Sequence, residues 1–149
     1  MTPFLVFLAL GCSAKEARTG LLLEDKGRLL LVEPSGDQST LALSGDSLAL
    51  ESALGCTARV EGQHGLRRFR VGSWSITDSG YGTIPTVGVL SKVGNAWYVR
   101  NRSDGLLVEL VEASMGGLSG HVGDLVLVDG YQVAPQLVKV VSYRVLREI

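Results

Sequence analysis

The sequence predicts an all-β fold made of two tandem five-stranded units that follow a short N-terminal segment. Composition is one reason: 19 glycines, 46 % hydrophobic residues and 19 % charged residues favour short apolar strands joined by tight turns. An internal repeat is the other reason. The turn glycines and strand residues from Gly55 to Gly62 recur, at one constant spacing, from Gly123 to Gly130. One repeated β unit therefore accounts for most of the chain.

The first unit is predicted over residues 20–79, where runs of Leu and Val alternate with turns that contain Gly, Pro, Asp or Ser. A short helix is expected within residues 44–54, capped by Asp46 or Ser47 and ended by Gly55. The expected strands are residues 20–23, 28–32, 40–43, 56–61 and 69–76.

Residues 80–85 show no periodicity and are predicted to be a linker. The second unit, residues 86–149, repeats the strand order with a glycine-rich loop in place of the helix. We expect Trp74 and Tyr143 at equivalent inner positions of the two last strands. The expected strands of this unit are residues 86–93, 97–101, 106–111, 124–129 and 137–146. Because each unit has only about 65 residues and a small core, we expect the units to pack on each other.

Five strands with a short helix between the third and fourth is the element order of the OB-fold. The pattern of Leu54-Gly55 through Gly62, with its copy from Val122 to Gly130, resembles small OB-like domains of exported bacterial proteins. The resemblance covers residues 20–146 and implies two OB-like barrels. Its motifs encode turns and core positions, so it implies no particular chemistry.

The N-terminus is apolar from Pro3 to Leu10 and is followed by Gly11, Cys12 and a polar segment. The apolar run is too short to span a bilayer and has the length of a signal-peptide core. Gly11-Cys12 resembles the lipobox of bacterial lipoproteins. That resemblance implies a signal peptide over residues 1–11, lipidation of Cys12 and a tether over residues 12–19. The alternative is a buried N-terminal strand with an ordinary cysteine.

A search for catalytic and metal-binding patterns finds no nucleophile elbow, no phosphate-binding glycine loop and no His or Cys metal spacing. His64 and His121 occupy different points of the repeat and are interpreted as turn residues. Cys56 is interpreted as a small buried residue. The sequence therefore predicts a protein that is not an enzyme, with no cofactor and no metal site.

One strand offers a candidate ligand face, because Tyr98, Arg100 and Arg102 alternate with Trp97 and Val99. OB-folds bind ligands on the face of strands two and three, and an aromatic beside arginine is stacking chemistry for single-stranded nucleic acid. An ordinary solvated strand face is the alternative interpretation. The first unit has Arg28, Leu30 and Val32 at the matching places.

The sequence favours a non-catalytic lipoprotein of the cell envelope whose OB-like units bind a protein, glycan or other envelope component. The lipoprotein resemblance implies that Cys12 attaches the protein to a membrane. In that family an Asp after the cysteine favours retention in the inner membrane, so Ser13 at that place implies the outer membrane, facing the periplasm. The alternative is a cytoplasmic OB-fold protein that binds single-stranded nucleic acid. A net charge of −1 disfavours nucleic acid as a partner, since such proteins usually carry a basic surplus.

Overall fold

The computed structural model of the chain describes residues 15–111 and 117–148. The predicted signal peptide, the lipidation of Cys12 and part of the predicted glycine-rich loop lie outside these residues. The described part is predominantly β, with five strands in each half. The prediction of an all-β chain with a five-stranded second barrel is confirmed.

The first unit contains five strands and one 3₁₀ helix between the third and fourth strands. They are β1 (Glu16–Asp25), β2 (Arg28–Val32), β3 (Gln38–Ala42), the first 3₁₀ helix (Gly45–Ser52), β4 (Thr57–His64) and β5 (Phe69–Asp78). The second unit repeats this order. Its elements are β6 (Thr86–Val93), β7 (Ala96–Asn101), β8 (Leu107–Val111), the second 3₁₀ helix (Leu118–His121), β9 (Leu125–Ala134) and β10 (Leu137–Arg147).

The second unit is a closed barrel with the strand order β10-β8-β7-β6-β9. Its closing pair, β8 with β10, is parallel, and the other four pairs are antiparallel. The first unit has the corresponding pairings in the order β1-β2-β3-β5-β4. Its parallel closing pair, β3 with β5, consists of two residue pairs, Leu41 with Phe69 and Ala42 with Arg70. Both units therefore have corresponding strand pairings, and the parallel pair has fewer residue pairs in the first unit than in the second.

Strand β1 begins at Glu16, four residues before the expected start, and takes in residues that the sequence assigned to a tether. Residues 16–19 pair antiparallel with β4. The Arg18 side chain explains part of this ordering, since its guanidinium lies 4.9 Å from the ring centroid of Phe69 and donates to Ser39 Oγ. Backbone pairing tolerates polar side chains on the solvent face, so their polarity gave no strand signal.

Backbone close approach requires glycine at an equivalent place in the first strand of each unit. A β-carbon at Gly20 would overlap the carbonyl oxygen of Val32, and one at Gly88 would overlap the carbonyl oxygen of Arg100. Both members of this contact recur at the spacing that separates Gly55 from Gly123. The repeat therefore retains a specific backbone contact between the first two strands of each unit, and only glycine fits it.

The turn that precedes the fourth strand repeats as well. Gly55 and Gly123 have φ angles of 84° and 93°, in the region that favours glycine. The Gly55 N–H donates to the Leu22 carbonyl and the Gly123 N–H to the Leu90 carbonyl, each at 2.8 Å. The tandem repeat is thus present in hydrogen bonds as well as in sequence.

The two units pack on each other through a shared apolar core. The core of the first unit, which includes the fully buried Leu50 of the first 3₁₀ helix, continues into the second unit. The second-unit members of this cluster are Val87, Leu125, Leu127 and Leu146. A separate cluster around Leu90, Val99 and Val126 fills the second barrel.

Trp74 and Tyr143 occupy equivalent strand positions, as expected, but they differ in burial. Trp74 lies opposite Val60 and Tyr143 opposite Val128, at matching places of the two last strands. Trp74 is 6 % exposed, whereas Tyr143 is 39 % exposed, so the prediction that Tyr143 anchors its barrel is wrong. The two 3₁₀ helices differ in length. The first has eight residues, and its Asp46 contacts Trp74, whereas the second has four residues.

The close approach at Gly88 predicts that Gly88→Ala destabilises the protein by about 1–3 kcal/mol or more, because the added methyl group overlaps backbone that cannot move freely. Chemical denaturation measures the difference in free energy of unfolding. Gly120→Ala is the matched control, because a β-carbon there meets nothing within 4 Å. Equal effects of the two substitutions would contradict the register described for β6 and β7.

Candidate functional site

A groove of about 750 Å³ lies where the outward face of the second barrel meets the first 3₁₀ helix. Strands β6, β7 and β8 form its floor, and Asp46 of the first unit forms part of its wall. The lining residues are Asp46, Gly88, Val89, Ser91, Arg100, Asn101, Arg102, Gly105, Leu107 and Leu125. The second unit therefore supplies most of the groove, and the first unit contributes Asp46 to its wall.

Strand register places Tyr98 and Arg100 on the outward face of the second barrel. Val99 between them is fully buried, and neighbouring residues of a strand point to opposite sides. Arg100 lies between Val89 of β6 and Leu107 of β8, so apolar side chains flank its stem. Tyr98 is the next outward residue along β7 and is half-buried.

Arg100 supplies an uncompensated positive charge in the groove. Its Nη1 donates to the carbonyl oxygen of Gly105 at 2.9 Å, which fixes one edge of the guanidinium. In the described part of the chain, it forms no ion pair with a carboxylate. The remaining N–H groups suit an anionic group of a ligand, because a guanidinium binds carboxylate or phosphate through paired hydrogen bonds.

Arg102, which also lines the groove, has a contact in the first unit that the sequence did not predict. It follows the end of β7 and turns towards the first unit, where its Nη1 and Nη2 donate to the Asp46 carboxylate at 3.3 and 2.7 Å. Its guanidinium also lies 3.9 Å from the ring centroid of Trp74, and the Trp74 indole N–H donates to Asp46 at 3.0 Å. These three residues, which we term the junction triad, tie the two units together.

The junction triad changes the acidity of Asp46. The hydrogen bond from Arg102 is the largest influence and holds the pKa of the Asp46 carboxyl below its usual value, against the effect of partial burial. The Trp74 indole and Arg147 act in the same direction. The carboxylate form of Asp46 is therefore stabilised in the folded protein.

Sequence reasoning assigned Asp46 or Ser47 to a helix cap and missed the triad. In the structure, Ser44 precedes the helix, and its N–H donates to Ser47 Oγ at 2.9 Å. Asp46 instead contacts residues 28 and 56 positions away along the chain. Nothing in the local sequence signals contacts of that range.

The other residues singled out in the sequence lie apart from the groove lining. His121 in the second 3₁₀ helix contacts Asp124, with 3.1 Å between Nδ1 and Oδ2. Cys56 is fully buried, and its thiol donates to the Ser79 carbonyl at 3.5 Å. Burial raises the pKa of that thiol. Over residues 15–111 and 117–148, His, Cys, Asp and Glu form no group of three suited to a metal ion.

No family model, curated protein or solved structure matches this chain. Neither 3₁₀ helix of the described ranges has the length and apolar character that a membrane span requires. The functional conclusion therefore rests on the geometry of the groove and on the N-terminal sequence.

The lowered pKa of Asp46 predicts a pH-dependent loss of stability in Asp46→Asn. A carboxyl with a depressed folded-state pKa stabilises the fold above its unfolded value, 3.8, and that stability is lost as pH falls through the folded pKa. Because Asp46 is 61 % exposed, the loss at pH 7 should be about 0.5–1 kcal/mol. Denaturation of wild type and variant at pH 7 and pH 3 measures it.

At pH 3 the difference between wild type and Asp46→Asn should shrink. The control is Glu51→Gln, which removes a charge from the same helix and leaves the triad intact. A pH-independent difference would show that the Asp46 carboxylate contributes no ionic stabilisation.

Proposed function

We propose that the protein is a non-catalytic lipoprotein of the cell envelope that binds a protein, glycan or other envelope component in the groove. The observation that carries the proposal is the uncompensated Arg100 guanidinium, placed between Val89 and Leu107 in a groove of about 750 Å³. That volume lies within the usual range of ligand sites.

The strand topology supports two OB-like units as the scaffold. In each unit the first strand pairs with the second and the fourth, and the third pairs in parallel with the fifth. A 3₁₀ helix separates the third strand from the fourth. OB-folds bind ligands on the face of strands two and three, and β7 and β8, which hold that place in the second unit, form part of the groove floor.

The groove chemistry favours a ligand with an anionic group next to an apolar part. Arg100 offers paired donors for a carboxylate or phosphate, while Val89 and Leu107 offer apolar contact within the groove, and Tyr98 is the next outward residue along β7. A long nucleic acid is less suited to the groove. Among the described residues, Arg100 is the one arginine of the groove lining without an ion pair, and the net charge of the chain is −1, so few phosphate charges would be neutralised.

The N-terminal sequence supports an envelope location. Its apolar run ends at Gly11-Cys12, and a diacylated cysteine gives stable membrane anchoring. Only four residue steps separate Cys12 from the start of β1 at Glu16, a span of at most about 14 Å. An anchor at Cys12 would therefore hold the first unit close to the membrane surface, facing the periplasm.

Cys12→Ser should release the protein from the membrane fraction of the bacterium and leave its melting temperature unchanged, because the acyl chains supply the attachment. Ser13→Ala keeps the cysteine and is the control. Fractionation, detergent partitioning and thermal melts measure both properties. A Cys12→Ser protein that stays membrane-bound, or melts at a lower temperature, would contradict the lipoprotein assignment.

A photoreactive amino acid at position 98 should cross-link the envelope partner in growing cells, because Tyr98 borders Arg100 on the outward face. The same group at Leu30 is the matched control, since Leu30 is half-buried at the equivalent place of β2. Arg100→Ala should reduce the position-98 adduct about tenfold or more, as loss of a charged hydrogen bond implies.

Equal adducts at positions 98 and 30, or adducts that survive Arg100→Ala, would refute the groove as the binding site. Adducts to single-stranded nucleic acid in the cytoplasmic fraction would instead favour the alternative OB-fold function. Mass spectrometry of the adducts separates these outcomes.

A further inference from the structure

A second, smaller cleft of about 320 Å³ lies between the loop after β5 and the β9–β10 hairpin. Its lining residues are Tyr81, Thr83, Asp129, Gly130, Tyr131, Val141 and Ser142. The cleft shares none of these residues with the groove. It is therefore a separate site, and a ligand assigned to it is independent of the proposed function.

A buried carboxylate forms the base of the cleft. Asp129 is 6 % exposed, Thr83 Oγ1 donates to its Oδ1 at 2.9 Å, and Ser142 Oγ donates to its Oδ2 at 3.4 Å. Arg144, two residues further along β10, donates instead to the carbonyls of Ser52 and Leu54. In the described part of the chain, Asp129 has no ion-pair partner. Its two neutral donors leave the negative charge uncompensated.

The repeat supplies an internal comparison for this carboxylate. Glu61 and Ser73 are cross-strand partners in the first unit, as Asp129 and Ser142 are in the second. Ser73 Oγ also donates to Glu61, at 3.5 Å, but there Arg59 completes an ion pair. At the position equivalent to Arg59 the second unit has Leu127, which is buried. The second unit thus retains the acid and the serine and lacks the cation.

Two tyrosines border the uncompensated carboxylate. Tyr81 is 75 % exposed and Tyr131 is 65 % exposed, so neither ring stabilises a core. The loop that carries Tyr81 is ordered, because Asp78 Oδ1 accepts the N–H groups of Gly80 and Gly82 at 2.7 and 3.3 Å. Tyr131 occupies the place that Gln63 holds in the first unit. Aromatic faces attract cations, most strongly where water is partly excluded.

A β-bulge shapes the apolar side of the cleft. Val140 pairs with Gly130 and Ser142 with Asp129, so Val141 is the additional residue, and it is 62 % exposed. A β-carbon at Gly130 would overlap the carbonyl oxygen of Lys139, which explains the glycine. Bulges commonly redirect side chains beside binding sites. Here the bulge places an aliphatic side chain next to the carboxylate and the tyrosines.

We propose that this cleft binds the primary ammonium group of a ligand that also has an aliphatic chain. The ammonium supplies the positive charge that the Arg59 guanidinium supplies to Glu61 in the first unit: its N–H groups donate to the free lone pairs of Asp129. The tyrosine rings stabilise the cation, and Val141 packs against the chain. A primary ammonium fits better than a quaternary one, because only the former donates hydrogen bonds to the carboxylate. A free alkyl amine and a lysine side chain share this chemistry.

Isothermal titration of the purified full-length chain tests the proposal, in phosphate buffer because Tris is itself a primary amine. The probes are cadaverine, a short neutral peptide with one lysine, choline and glucose. We expect cadaverine or the lysine peptide to bind with a Kd of about 10 µM to 1 mM. Asp129→Asn and Tyr131→Leu should each weaken that binding about tenfold. The matched controls, Glu61→Gln and Gln63→Leu, change the equivalent first-unit positions and should leave it unchanged.

Tighter binding of cadaverine identifies a small amine as the ligand class, and tighter binding of the peptide identifies a lysine side chain. Choline that binds as tightly as either amine would overturn the primary-ammonium assignment, and binding of glucose alone would show a saccharide cleft instead. No binding of any amine, or amine binding that Asp129→Asn and Tyr131→Leu leave unchanged, would overturn the site. Tyr131→Leu keeps this test valid even if Asp129→Asn unfolds, because Tyr131 is largely exposed.

Discussion

The apolar contact between the first 3₁₀ helix and the second barrel is the constraint on which both the stability and the groove depend. Val87, Leu125, Leu127 and Leu146 of the second unit complete the core of the first. At about 1.5–3 kcal/mol for each buried side chain, these four contribute about 6–12 kcal/mol as an upper estimate. That is close to the whole net stability of an ordinary domain. Units of this size have little stability without such a contact, so the pair folds as one structure.

Comparison of the two repeated units distinguishes residues that the backbone geometry requires from side chains that differ on the surface. Gly20 with Val32, and Gly88 with Arg100, make the same close backbone contact, so the backbone positions are shared. The side chains at those positions differ, because Val32 is replaced by Arg100 in the second unit. The same divergence turns the ion-paired Glu61 of the first unit into the unpaired Asp129 of the second. Both candidate sites therefore lie mainly on the second unit, where Arg100 lines the groove and Asp129 lines the smaller cleft.

Sequence reasoning predicted the features that depend on local pattern. Turn glycines and runs of Leu and Val located the strands of both units to within a few residues, and the constant spacing between matching glycines related one unit to the other. It also predicted the alternation that places Tyr98 and Arg100 on one face of β7. Each of these signals lies within a short stretch of the chain, which is why periodicity detects it.

Several features that the sequence did not predict involve contacts between distant residues. Residues 16–19 look like a polar tether, yet they pair with β4, far along the chain. Tyr143 lies at the place in β10 that matches Trp74 in β5. The 3₁₀ helix of the second unit is shorter than that of the first unit, which contacts Trp74. Arg102 binds Asp46 of the other unit, a contact that the strand pattern does not signal. Tertiary packing decides such contacts, and a single sequence has no local signal for them.

The junction triad and the shared core contribute differently to the contact between the two units. An ion pair as exposed as Asp46 with Arg102 contributes little free energy, so it cannot replace the apolar contact. Its hydrogen bonds are directional, however, and the planar Arg102 guanidinium must satisfy both the carboxylate and the face of Trp74. Apolar packing has little directional preference, whereas a rotation between the units would misalign these hydrogen bonds. Because Asp46 also forms part of the groove wall, the triad orients that wall residue, and the core supplies most of the free energy that holds the units together.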